Sequence, residues 1–199
     1  MPGSDAALAK TVFLVSGHFD SMPSSVMDPS SDAPGAADDA SGVSVSLECA
    51  RLLAGGTYRA TLVFAAVSGE EQGLIGGKRL LEYLKEKGYT IGGFLNNDVV
   101  GADFAPGGPH RVRVFSAGGP DGVDSPSRDL VRAVEQIAGR DKVRMVFRLD
   151  RPGRGGCSAG SWVASSVPYL PRRLSSLSGS KWPIRGKIAA FRPPRGRGS

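Results

Sequence analysis

"TLVFAAVSGEEQGLIGGKRLLEYLKEKG", residues 61–88, changes its period in the middle. The first seven residues are rich in β-branched and aromatic side chains and read as a buried strand. Ser68, Gly69 and the Glu70–Glu71 pair then form a polar turn. Beyond it, Leu80, Leu81 and Leu84 recur at helical spacing with charges between them, and Gly88 marks the end. Strand, acidic turn and helix in succession point to a fold in which the two element types alternate.

The flanking sequence repeats the pattern. Upstream, "TVFLV" (11–15) reads as a strand and "GVSVSLECARLLAGG" (42–56) as a helix, with Val43, Leu47, Ala50 and Leu53 or Ala54 inward and Gly55–Gly56 as the stop. Downstream, "FLNNDVV" (94–100), "VRVFSA" (112–117) and "VRMVFRL" (143–149) read as strands. "SPSRDLVRAVEQIAG" (125–139) reads as a helix with Ser125 as N-cap and Pro126 at its first position. Its apolar face is Leu130, Val131, Val134 and Ile137, and Gly139 terminates it. The alternation predicts an α/β protein, a three-layer α/β/α sandwich around a mixed, mainly parallel sheet, in one domain over residues 1–156.

Composition agrees with a single ordinary core: 199 residues, 40% hydrophobic and 22% charged. No stretch reaches the roughly 20 apolar residues of a membrane span. The start, "MPGSDAALAKTVFLV", has no basic region followed by a long apolar one, so the sequence carries no export signal and the default expectation is cytoplasmic. Two cysteines, Cys49 and Cys157, make neither a disulfide framework nor a metal pair, and Cys49 reads as a small buried hydrophobe.

The net charge of +6 is unevenly placed. Residues 1–156 hold 17 basic and 19 acidic side chains, whereas residues 157–199 hold 8 basic and no acidic ones. That final stretch also has five prolines, nine serines and no sustained period, and reads as an irregular basic tail. Three origins fit it: a disordered arm, a nucleic-acid-binding tail, or a shifted reading frame joined to a genuine domain. Trp162, Tyr169, Trp182 and Phe191 lie among its basic residues, but their spacing fits no recognition module.

The chemistry lies in polar clusters that follow predicted strands, where α/β folds place their sites. "SGHFDS" puts His18 and Asp20 just past the first strand, "SGEEQGL" puts Glu70 and Glu71 after the second, and Asn97–Asp98 follow "FLN". "APGAADDASG" (33–42) adds Asp38 and Asp39 among small residues. Converging carboxylates repel unless protonated or bridged by a cation, and an imidazole among them favours zinc or a similar borderline metal over calcium. A two-metal site needs one carboxylate between the ions, and the Asp38–Asp39 turn is its natural supplier. "GCSAG" (156–160) matches a nucleophile elbow in form only, because no strand precedes Ser158 and no helix is evident after it.

"SGHFDS", "APGAADDASG", "VSGEEQGLIGG" and "LNNDVVG", in this order and at these spacings, resemble the co-catalytic zinc aminopeptidases of the bacterial leucyl aminopeptidase, aminopeptidase Y and glutamate carboxypeptidase superfamily. The likeness is dense over residues 11–101 and continues weakly to "DRPGRGG" (150–156). It implies two zinc ions: His18 and Asp98 on one, Glu71 on the other, and Asp38 bridging. It further implies Glu70 as general base, Asp20 orienting His18 through its other ring nitrogen, a cis peptide between Asp38 and Asp39, and a peptide substrate docked by its free N-terminus.

The sequence departs from that family late. Relatives supply one more zinc-binding histidine, and the histidines here are His18 and His110 alone. His110 precedes a strand at the wrong point in the order, so the ion on Asp38 and Glu71 lacks a ligand and the sheet is expected to be truncated. Relatives are also often exported. Two classes of function follow: a metallopeptidase, active or crippled by the missing histidine, or a non-catalytic binding protein using the dead fold or the basic tail on a polyanion.

Overall fold

The computed structural model describes residues 1–100, 112–116, 126–143, 145–148 and 161–164. In chain order the elements are β1 (Thr11–His18), a tight turn over Ala36–Ala40, α1 (Ser41–Leu53), β2 (Thr61–Val67), α2 (Ile75–Glu86), β3 (Thr90–Asn96), β4 (Val112–Ser116), α3 (Pro126–Arg140), β5 (Met145–Arg148) and β6 (Ser161–Ala164). Six strands form one sheet in the order β2-β1-β3-β6-β4-β5. β1 is parallel to β2 and β3, and β4 is parallel to β5 and β6. The two sets meet antiparallel at β3–β6. The sheet is therefore mixed and mainly parallel, as the alternation predicts.

Helices cover both faces. On one, Leu84 of α2 is buried with Val12 and Leu14 of β1 and Ile91 of β3, and Leu80, Leu81, Val63 and Phe94 pack around them. Strand residues of opposite parity face the other layer. There α1 approaches so closely that a Cβ on Gly17 would fall 2.5 Å from the Gly42 carbonyl carbon, which only paired glycines permit. α3 lies on that same face: Leu130 crowds Gly93, and Val131 is buried with Val114 of β4. The reversed direction of β4–β6 puts α3 beside α1, since a right-handed crossover between strands running the other way returns over the opposite face.

Several sequence expectations shift. β1 continues through Ser16 and Gly17, so His18 is its last residue rather than a position beyond it. β3 begins at Thr90 and stops at Asn96, and the strand expected over 143–149 narrows to Met145–Arg148. Leu47, expected inward, is 64% exposed, and α1 instead buries Gly42 and Ser46, because a close approach to the sheet admits only small side chains. In α3, Ile137 is 52% exposed while Ala138 is buried, and the helix runs past Gly139 to Arg140. Ser161–Ala164, within the stretch expected to be irregular, forms β6 between β3 and β4. Four residues in a serine-rich context are too few for a period to register.

Ser125, His110, Cys157, Ser158 and the rest of the basic tail lie outside the described residues. Among those described, Cys49 is half-buried, and no helix is long and apolar enough to cross a membrane.

Candidate metal centre

The carboxyl ends of β1, β2 and β3 finish side by side, with His18 paired to Val67 and Ser16 to Asn96. Each strand then delivers its polar residues at one edge: β1 ends on His18 and leads to Asp20, β2 leads to Glu70 and Glu71, and β3 leads to Asp98. The turn before α1 brings Asp38 to the same place, across a cis Asp38–Asp39 peptide.

Six residues expected at the site thus come together. Ligand atoms of His18, Asp38 and Asp98 lie within 4.8 Å of one another, as do those of His18, Glu70 and Glu71. The two sets share His18, whereas the family likeness would have them share Asp38. His18 is 1% exposed, and its Nε2 stands 3.1 Å from Asp38 Oδ1 and 4.0 Å from Glu70 Oε2.

The other ring nitrogen is tied down. His18 Nδ1 is 3.0 Å from the main-chain carbonyl oxygen of Asp20, an acceptor only, so Nδ1 carries the hydrogen and the neutral ring turns its Nε2 lone pair toward the carboxylates. The Asp20 carboxylate is farther from the ring, with Oδ1 at 3.5 Å, while Oδ2 accepts the Glu71 N–H at 3.1 Å. Asp20 therefore touches His18 chiefly through its backbone, and its side chain holds the loop that carries Glu71.

The adjacent aspartates part company. Asp38 turns into the cluster, and Asp39 turns away: its Oδ2 accepts the His18 N–H at 3.0 Å, and its Oδ1 accepts the N–H groups of Gly42 at 2.9 Å and Val99 at 3.1 Å. Reading the pair as one acidic turn missed this division. The signal for it was present in the glycines of "SGH" and "DASG", whose missing side chains make room for the Asp39 carboxylate.

So much negative charge in a dry place shifts titrations upward. Burial, then Asp38 and Asp39, push the Asp98 carboxyl up to about 7. Burial, reinforced by Glu71, Asp38 and Asp20 against the pull of His18, raises Glu70. Burial opposes protonation of His18, but Asp39, Glu70, the Asp20 carbonyl and Asp98 outweigh it and hold the ring above its ordinary value.

Whether these residues fit a cation can be judged from their unsatisfied atoms. His18 Nε2, Asp20 Oδ1, Asp38 Oδ1 and Asp98 Oδ1 are all buried without a hydrogen-bond partner. One such atom costs about 1–3 kcal/mol, more where it is charged. A proton on His18 Nε2 would pair it with Asp38 Oδ1 3.1 Å away but would leave the Asp20 and Asp98 oxygens unmet, whereas a cation engages the cluster together. An imidazole nitrogen with carboxylate oxygens is a donor set that suits zinc. The residues fit the metal.

Comparison with known proteins points the same way. A "Probable zinc metalloprotease" of Pyricularia oryzae is 42% identical over 168 residues, covering 73% of this chain and 34% of that protein. One from Pyrenophora tritici-repentis is 40% identical over 166 residues, covering 72% and 38%, and one from Leptosphaeria maculans is 40% identical over 167, covering 73% and 39%. The chain thus spans little more than a third of the length of these curated relatives. No solved structure gives a significant match. The model of peptidase family M28 matches residues 1–148, and the chain belongs to that family.

Proposed function

We propose that this chain carries the metal centre of a zinc-dependent exopeptidase of aminopeptidase type, and that its substrate is a peptide with a free N-terminus. The observation that carries the reading is the convergence of four buried, unpartnered N and O atoms at the carboxyl ends of three parallel strands.

His18, Asp38 and Asp98 would hold one zinc ion, and Asp38 and Glu71 a second. When bound, the metal supplies polarisation of the scissile carbonyl and acidification of water. The protein's own groups move the protons. Glu70 Oε2 accepts the proton of the attacking water, and the same carboxyl then delivers it to the leaving amine nitrogen. The Asp20 carbonyl keeps the His18 tautomer that leaves Nε2 unprotonated, and the Asp20 carboxylate steadies the Glu71 backbone.

In this assignment the described residues give the first ion three ligands, His18, Asp38 and Asp98, and the second two, Asp38 and Glu71. Zinc titration is therefore expected to give one tight and one weaker equivalent. Leucine anilide should be cleaved by the zinc-loaded chain, N-acetyl-leucine anilide should not, and a chelator should abolish cleavage. Equal turnover of the acetylated compound would overturn the aminopeptidase assignment, and absence of zinc binding would overturn the metal centre itself.

A further inference from the structure

We propose that Asp39 is a positioning residue for the metal centre, its carboxylate acting as a shared anchor that sets the spacing of His18, Asp38 and Asp98. The inference rests on the metal-centre reading above and goes beyond the ligand set.

Asp39 is 1% exposed, and its two oxygens accept three main-chain N–H groups from three separate segments, the end of β1, the start of α1 and the loop after β3. The His18 N–H belongs to the last residue of β1 and is the backbone of a ligand. The Gly42 N–H is in the first turn of α1 and fixes the turn that aims Asp38. The Val99 N–H is on the residue that follows Asp98. Each ligand of this set is thus held one peptide or less from a bond to one carboxylate, except Asp38, which is its covalent neighbour.

Val99 supplies an independent sign that the anchor is needed. Its φ is +50°, a left-handed conformation that β-branched residues rarely adopt, and its N–H bond to Asp39 Oδ1 is what the structure offers to hold it there. The seat is also built around the carboxylate. A Cβ on Gly17 would lie 2.9 Å from Asp39 Oδ2, and one on Gly42 would lie 2.6 Å from Oδ1, so neither position admits a side chain while Asp39 stays in place.

Asp39→Asn preserves size but turns one oxygen into an amide that must face an N–H donor. The test titrates the full chain with zinc against a competing chromophoric chelator and follows amide hydrogen exchange of the metal-free protein. Asp39→Asn should weaken the tight zinc equivalent about 10- to 100-fold, the usual effect of losing a partner behind a metal ligand. It should speed exchange at His18, Gly42 and Val99 while Leu14 keeps its protection. Leu84→Val, buried between α2 and β1 and away from the cluster, should leave zinc affinity within twofold.

Wild-type zinc affinity in Asp39→Asn would overturn the assignment and leave the metal centre standing, as would faster exchange spread uniformly over β1. Failure of the wild type to bind zinc would take both down. Should Asp39→Asn not fold, exchange in the wild type decides: the Val99 amide must be protected comparably to Leu14, and free exchange there overturns the anchor.

Discussion

Glu70 and Glu71 are neighbours with separate duties, and single substitutions should expose the difference. Glu70→Gln removes the proton carrier but keeps the shape, so hydrolysis should fall about 10²- to 10⁴-fold while bound zinc, counted by elemental analysis, stays unchanged. Asp98→Asn acts elsewhere. Because the native Asp98 carboxyl titrates at about 7 against an ordinary 3.8, the folded metal-free chain holds a proton the unfolded chain has lost between those values. Its contribution to stability is complete below about pH 4 and is lost as pH rises to about 7. Urea midpoints measured with a chelator should therefore drop from pH 5 to pH 8, and Asp98→Asn should reduce that drop. At this scale much was legible: three strand-end motifs gave His18, Asp20, Glu70, Glu71 and Asp98, and the turn before α1 gave Asp38. The burden on Asp39 was not, because two adjacent carboxylates look alike until the backbone turns one inward and the other toward three amides.

Among the elements, spacing identified the helices better than it identified their buried sides. α1 meets the sheet through Gly42 and Ser46, and a search for large apolar residues selects Leu47, which points outward at 64% exposure. Close packing through small residues leaves no hydrophobic stripe to read. Leu47→Gln should accordingly change unfolding free energy by no more than about 0.5 kcal/mol. Leu84→Ala, in the buried contact between α2 and β1, should cost about 2–5 kcal/mol in the same denaturation measurement. β2 matched its predicted bounds at Thr61–Val67 because an uninterrupted apolar run sits between polar turns. β6 did not show itself, since its four residues join the sheet through pairing with β3 and β4, far away in sequence.

For the whole molecule, the ligand atoms carry electrostatic repulsion that the folded chain bears until a cation joins it. Zinc at about 100 times its dissociation constant should add about 2.7 kcal/mol, a rise of about 5–10 °C in melting temperature, and a chelator should remove it. Because ligands bind as their deprotonated forms, the zinc-bound protein should gain stability over the pH range in which the metal-free protein loses it. Thermal scans at pH 5 and 8, with and without zinc, check that inversion.

The sheet's outer border has a practical outcome as well. Met1 exchanges two main-chain hydrogen bonds with Leu62, near the start of β2, and so covers part of the outer edge of the sheet among the described residues. The metal cluster lies past the far end of that strand, about 20 Å away at the usual rise per residue. A tag joined at Met1 would therefore start at the end of β2 remote from His18, Asp38 and Asp98.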